Sequence, residues 1–257
     1  MTAASGERIA KLLARAGLCS RRDAERWIAA GRVAIDGKTL ASPAVNVTPD
    51  MEITVDGKPI PRKAPVRLWR YHKPLGLVTT ARDPQGRPTV FENLPADMPR
   101  VISVGRLDLN SEGLLLLTND GGLARRLELP SGGWVRRYHV RVRGAVDPSQ
   151  LRALARGIEI DGFRYAGIEA TLDRQQGGNA WLTLALKEGK NREIRRICEH
   201  LGWPVNRLIR VAFGRFELGD LAPGAVDELS PHMVESLLMD RQKAGTQMRA
   251  KLPELRE

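Results

Sequence analysis

Ile9, Leu12, Leu13 and Ala16 recur at helical spacing while Arg8, Lys11 and Arg15 fall on another face, which predicts a short amphipathic helix with a basic side. Gly17 ends it. Ser20 with Asp23 three residues later is a capping-box variant opening a second helix through Trp27, Ile28 and Ala29, which stops at Gly31. Val33 and Ile35, and later Ile53 and Val55, alternate with polar neighbours ahead of Asp36-Gly37 and Asp56-Gly57, so strands running into tight turns are expected. The Pro-rich, basic stretch from Arg62 to Pro65 reads as a linker.

Beyond it the periods mix. Tyr138, Val140 and Val142 alternate with Arg137, His139, Arg141 and Arg143, a strand with one apolar and one basic or polar face. Leu182, Leu184 and Leu186 alternate likewise, and after Gly189 the residues Ile194, Ile197, Cys198 and Leu201 take helical spacing, with Arg192, Arg195 and Arg196 opposite. Leu114 to Leu117 form the most apolar strand, which Asn119 to Gly122 terminate. The pattern predicts an α+β protein with a small domain over 1–63, a larger one of mixed helices and strands over 64–240, and a charged tail over 241–257.

Composition narrows the function. Of 257 residues, 42% are hydrophobic and 28% charged, enough to bury a core and exclude general disorder. Lysine and arginine number 41 against 30 acids, a net charge of +11, so the expected partner is a polyanion. An anionic membrane fits poorly: the longest aliphatic run is far short of the roughly 20 residues of a spanning helix, and Glu7, Arg8, Lys11 and Arg15 interrupt any secretory pattern. A cytoplasmic, nucleic-acid-binding protein is expected. Cys19 and Cys198 have no metal spacing and read as small buried residues; His72, His139, His200 and His232 are equally scattered, so neither metal nor cofactor is expected.

Gly105 to Gly113 form a polar, glycine-bounded loop carrying Asp108 immediately before the apolar strand. Such a loop is held by the sheet yet can face a cleft, a frequent placement for a reactive group. Lys11, Arg15, Arg21, Arg22, Arg26 and Arg32, on or beside the first two helices, form a set able to engage RNA phosphates.

Two resemblances sharpen this. Arg8-Ile9-Ala10-Lys11-Leu12-Leu13, Ser20-Arg21-Arg22-Asp23-Ala24 and Gly31-Arg32-Val33-Ala34-Ile35-Asp36-Gly37 resemble the S4 RNA-binding domain. Gly105-Arg106-Leu107-Asp108-Leu109-Asn110-Ser111-Glu112-Gly113, running on through Leu114-Leu115-Leu116-Leu117-Thr118-Asn119-Asp120, resembles the signature of the pseudouridine synthases that modify single uridines in ribosomal RNA. Tyr71-His72-Lys73-Pro74-Leu75-Gly76, Asp83-Pro84-Gln85-Gly86-Arg87-Pro88-Thr89-Val90, Arg137-Tyr138-His139-Val140, Glu188-Gly189-Lys190-Asn191-Arg192-Glu193-Ile194-Arg195-Arg196 and Arg207-Leu208-Ile209-Arg210-Val211 support it in order. The likeness is greatest to members acting on the large subunit.

The resemblance implies the pseudouridine synthase fold, a mixed, mainly antiparallel sheet with flanking helices after the S4 domain, and a monomer acting on 23S ribosomal RNA in an assembly intermediate without cofactor. It implies that Asp108 is catalytic, attacking C1′ or removing the C2′ proton, with Arg195 as the cation that keeps it ionised and aimed. Tyr138 is then the aromatic that stacks on the extruded base and relays the C5 proton. Leu208 and Arg106 belong to the substrate pocket, and Lys190, Arg192 and Arg210 clamp phosphates. Trp134, Trp181 and Trp203 are left as packing residues. A noncatalytic S4-type ribosome assembly factor is the alternative, and the spaced trio of Asp108, Tyr138 and Arg195 argues against it. A glycosidase would need a second carboxylate, and Glu112 reads as a loop residue.

Overall fold

A computed structural model describes residues 6–61 and 64–239; residues 62 and 63 of the expected linker and the expected tail lie outside the described residues. They divide into two compact units. One runs to Val66 and takes in Met98–Val101 and Asn119–Gly121; the other holds Arg67–Asp97, Ile102–Thr118 and the chain from Gly122.

In the first unit β1 (Glu7–Arg8), α1 (Ile9–Arg15) and α2 (Arg21–Ala29) precede β2 (Val33–Ile35), β3 (Lys38–Thr39), β4 (Asn46–Val47), β5 (Ile53–Val55) and β6 (Lys58–Pro59). The capping box at α2 forms in both directions: Asp23 N donates to Ser20 Oγ at 3.1 Å and Ser20 N to Asp23 Oδ2 at 3.3 Å. The two Asp-Gly pairs make the β2–β3 and β5–β6 turns, with φ of 47° and 76° at Asp36-Gly37 and 51° and 75° at Asp56-Gly57, the left-handed pairs a tight hairpin requires. Ile9, Leu13, Ala24, Ile28, Val33, Val47 and Ile53 close the core beneath a sheet of order β3-β2-β5-β6.

The second unit is built on β7 (Leu68–Lys73), β8 (Ile102–Val104), β9 (Glu112–Thr118), α3 (Gly121–Glu128), β10 (Arg136–Arg143), α4 (Pro148–Ala153), β11 (Ile158–Ile160) and β12 (Phe163–Tyr165). It continues through β13 (Glu169–Gln176), β14 (Asn179–Leu186), α5 (Glu193–His200), β15 (Val205–Phe213), β16 (Phe216–Glu217) and β17 (Val226–Glu228) to a helix over 231–239. The large sheet runs β13-β14-β10-β15-β9-β7-β17, with β16 beside β15 and β8 beside β9. Its pairings are antiparallel except β15 with β9, the α+β architecture expected. β9 is buried along its whole length, as a central apolar strand must be.

The parallel seam depends on Gly113. There φ is +103°, and a Cβ would stand 2.4 Å from the Arg210 carbonyl oxygen, so only glycine lets β9 approach β15. The sequence marked residues 119–122 only as the end of β9; they also open α3, whose Leu123, Ala124 and Leu127 form its buried face.

Candidate active site

The loop between β8 and β9 carries Asp108, and its neighbours hold it at many points. Gly105 (φ 67°) starts the turn, and its N–H donates to Glu128 Oε1 of α3 at 2.9 Å. Thr79 brackets Leu107: its hydroxyl donates to the Leu107 carbonyl at 2.8 Å and accepts from the Leu107 N–H at 3.3 Å. Gly76 N donates to Leu109 O at 3.0 Å, Arg195 of α5 to Asn110 O at 2.5 Å, and Lys73 Nζ to Ser111 O at 2.8 Å. The backbone around Asp108 is therefore fixed while its carboxylate stays one-third exposed.

Asp108 opens onto a cavity of about 660 Å³. Tyr138 and Arg136 from β10, Leu208 and Arg210 from β15, and Arg192 and Glu193 at the start of α5 line it from the sheet side. Arg192 Nη1 stands 4.0 Å from Asp108 Oδ2, and Arg192 takes a left-handed φ of 51° as the N-cap of α5. Three buried polar atoms around the cavity lack a protein partner: Ser111 Oγ, Glu193 Oε1 and Arg210 Nη2. Unsatisfied groups of this kind cost stability, and they suit a cavity that binds a polar molecule.

The electrostatics follow from burial. Lys73 is fully enclosed, and desolvation pulls its pKa down to about 8 against the opposing charges of Asp108 and Glu112. Burial also lowers the Arg195 pKa, reinforced by Arg192 and opposed by Asp108. Burial raises the Glu193 pKa, although Lys190 N donates to its Oε2 at 2.9 Å. The cavity lining holds the cations Arg106, Arg136, Lys190, Arg192 and Arg210 against the carboxylates of Asp108, Glu128 and Glu193, of which Glu193 is buried and Glu128 is engaged by the Gly105 N–H.

The family description "RNA pseudouridylate synthase" matches residues 67–200, and "S4 domain" matches 7–53. An RNA pseudouridine synthase of Rickettsia felis is 51% identical over 229 residues, 89% of this chain and 99% of that protein. The chain belongs to the RNA pseudouridine synthases. The ribosomal large subunit pseudouridine synthase B of Salmonella typhi is 47% identical over 219 residues, covering 82% of this synthase and 75% of that one. The crystal structure of a pseudouridylate synthase superposes with a TM-score of 0.62 at 26% identity, covering 90% of this chain and 99% of that one.

The structure brings Asp108, Tyr138, Leu208, Arg106, Lys190, Arg192 and Arg210 of the synthase to one cavity; Arg195 reaches the Asp108 loop from outside its lining. Arg210, expected to clamp phosphate, is only 3% exposed: its Nε donates to Leu114 O at 2.7 Å, its guanidinium lies over the Phe213 ring, and its unpartnered Nη2 is at the cavity. Lys190 is held by Glu188 at 3.0 Å and by the Arg164 carbonyl. Glu112 is no loop residue; it starts β9, is buried, and pairs with Arg207 at 2.5 Å.

In the S4 unit most of the expected RNA-facing cations have protein partners. Lys11 and Arg15 both meet Glu7, Arg26 meets Asp23, and Arg32 meets Asp56. Among the described residues Arg21 and Arg22 are exposed with no acidic partner. Sequence reasoning gave no role to Lys73, Ser111, Arg136 or Glu193. Arg136 was within reach, because alternation along β10 puts it on the Tyr138 face. The other three owe their burial to distant strands, which no local pattern encodes.

Proposed function

We propose that this synthase converts one uridine of 23S ribosomal RNA to pseudouridine, with Asp108 beginning the exchange at the glycosidic bond. The observation that carries this reading is the convergence of Asp108, Tyr138 and Leu208 on one cavity of about 660 Å³, a size suited to a single extruded nucleoside. In the isomerisation the N1–C1′ bond breaks, the uracil turns inside the cavity, and C5 bonds to C1′. The proton lost from C5 is matched by one gained at N1, so no redox partner is needed. Asp108 serves either as nucleophile at C1′ or as base at the C2′ proton. Arg192 and Arg195 offset its charge and aim it.

Tyr138 stacks on the uracil and its hydroxyl relays the C5 proton, while Leu208 supplies an apolar wall on which the ring can turn. Arg106 is exposed at the edge of the cavity, placed to meet the RNA backbone as the nucleotide enters. The 23S target is supported by the 47% identity to a synthase named for the large ribosomal subunit. Mapping pseudouridines across both ribosomal RNAs in cells lacking the gene tests it. One 23S position reverting to uridine is the expected result; loss confined to 16S would contradict the target.

A further inference from the structure

β10 presents two faces, and the site uses one of them. Arg136, Tyr138, Val140 and Val142 point inward, while Arg137, His139, Arg141 and Arg143 point outward and are exposed. Same-face residues on a strand stand about 7 Å apart, so the outer face carries a regular row of three arginines and a histidine. A second row crosses it. Arg141 lies directly opposite Arg207 of β15 and opposite Trp181 of β14, which in turn lies opposite Arg174 of β13.

This arrangement carries a cost. Like charges directly opposite across a sheet are destabilising, and Arg141 faces Arg207. Arg207 is offset by Glu112, but among the described residues no acid pairs with Arg137, Arg141 or Arg143. The acids nearest in the register are Asp173, whose oxygens accept from Thr171 and Thr183, and Glu169 and Glu217, each two strands from Arg137 on opposite sides. Some arginines of this unit are paired, Arg67 with Glu228, Arg70 with Asp227, and Arg87 with Asp83, while Arg125, Arg152 and Arg156 are exposed without an acid partner among the described residues; what sets β10 apart is that its unpaired arginines stand in a row on one strand face. An unpaired basic row on an open sheet face is what a polyanion would neutralise.

We propose that the outer face of β10 is a second RNA-docking surface, in which Arg137, Arg141 and Arg143 grip the phosphate backbone of a substrate segment away from the uridine in the cavity. The inference rests on the chain's membership of the RNA pseudouridine synthases and not on the identity of the target uridine. The two faces of one strand would then hold two parts of a single folded RNA. The contacts are to phosphate, so they add affinity and orientation without reading sequence.

The test uses the full chain with Arg137, Arg141 and Arg143 all changed to Gln, beside an equal-charge control with Arg125, Arg152 and Arg156 changed to Gln. Binding to purified ribosomal RNA is titrated with salt, and isomerisation is followed in single turnover at saturating enzyme. The β10 variant should show a salt slope shallower by about two to three, at −0.7 to −0.9 per lost contact. Its deficit against wild type should therefore shrink by roughly 10- to 20-fold between 0.1 and 0.3 M salt. The saturated rate should stay near wild type, because Tyr138 faces the other way, and the control should keep the wild-type slope. A wild-type slope in the β10 variant, or an equal flattening in the control, overturns the proposal; the former with intact activity leaves the face to an acidic protein partner instead.

Discussion

Lys73 sits fully buried beside the Asp108 loop, its pKa drawn down to about 8 by desolvation from the ordinary 10.5. Below about 8 the native protein bears the cost of a buried ammonium that the unfolded chain does not. As pH rises from about 8 to 10.5 the unfolded chain binds more protons than the native one, so this cost is relieved. Lys73→Met has no such titration. Urea unfolding should therefore show wild type gaining on the variant by up to about 3 kcal/mol across that window. A difference that stays flat with pH would contradict the assignment. At this scale the sequence was uneven. Asp108 was legible because a glycine-bounded loop and a specific motif coincide on it. Glu112 and Arg210 were not, because their burial is set by the β9–β15 seam, which joins residues nearly 100 positions apart.

Among the elements, those with local signals were legible. The α2 capping box and the Asp-Gly turns are made by neighbours in sequence, and both appear as the residues predict. α3 was missed because Gly121 and Gly122 carry a strong turn signal, while its stabilising contacts come from burial of Leu123, Ala124 and Leu127. The seam at Gly113 is a tertiary demand on a single residue. Gly113→Ala places a Cβ 2.4 Å from the Arg210 carbonyl at a φ of +103°, so β9 must shift from β15. A loss of at least about 1–3 kcal/mol of stability is expected, read from the shift in urea midpoint, with activity falling as Asp108 and Arg210 move apart. Wild-type stability in that variant would mean the seam yields without cost.

For the whole molecule, the charge of +11 pointed to a polyanion but not to which cations are available for it. In the S4 unit Lys11, Arg15, Arg26 and Arg32 are engaged with Glu7, Asp23 and Asp56, while Arg21 and Arg22 have no acidic partner among the described residues. Arg21→Gln with Arg22→Gln should flatten the salt dependence of RNA binding by up to about two contacts, and Lys11→Gln with Arg15→Gln by less. Equal slopes for the two pairs would show that the Glu7 contacts open on binding RNA. The α+β class and the family were legible because the motifs span nearly the whole chain. The cavity was not, since its walls come from strands, loops and a helix start that meet only in the folded sheet.

The central claim is that Asp108 performs the chemistry while other groups hold the RNA. Asp108→Asn removes the charge and basicity with little change in volume, and its side chain is partly exposed, so folding should be spared. Pseudouridine formation and RNA affinity measured on that one variant decide the matter. Isomerisation abolished with affinity nearly unchanged is the predicted result; substantial residual turnover, or loss of binding in step with activity, would contradict it.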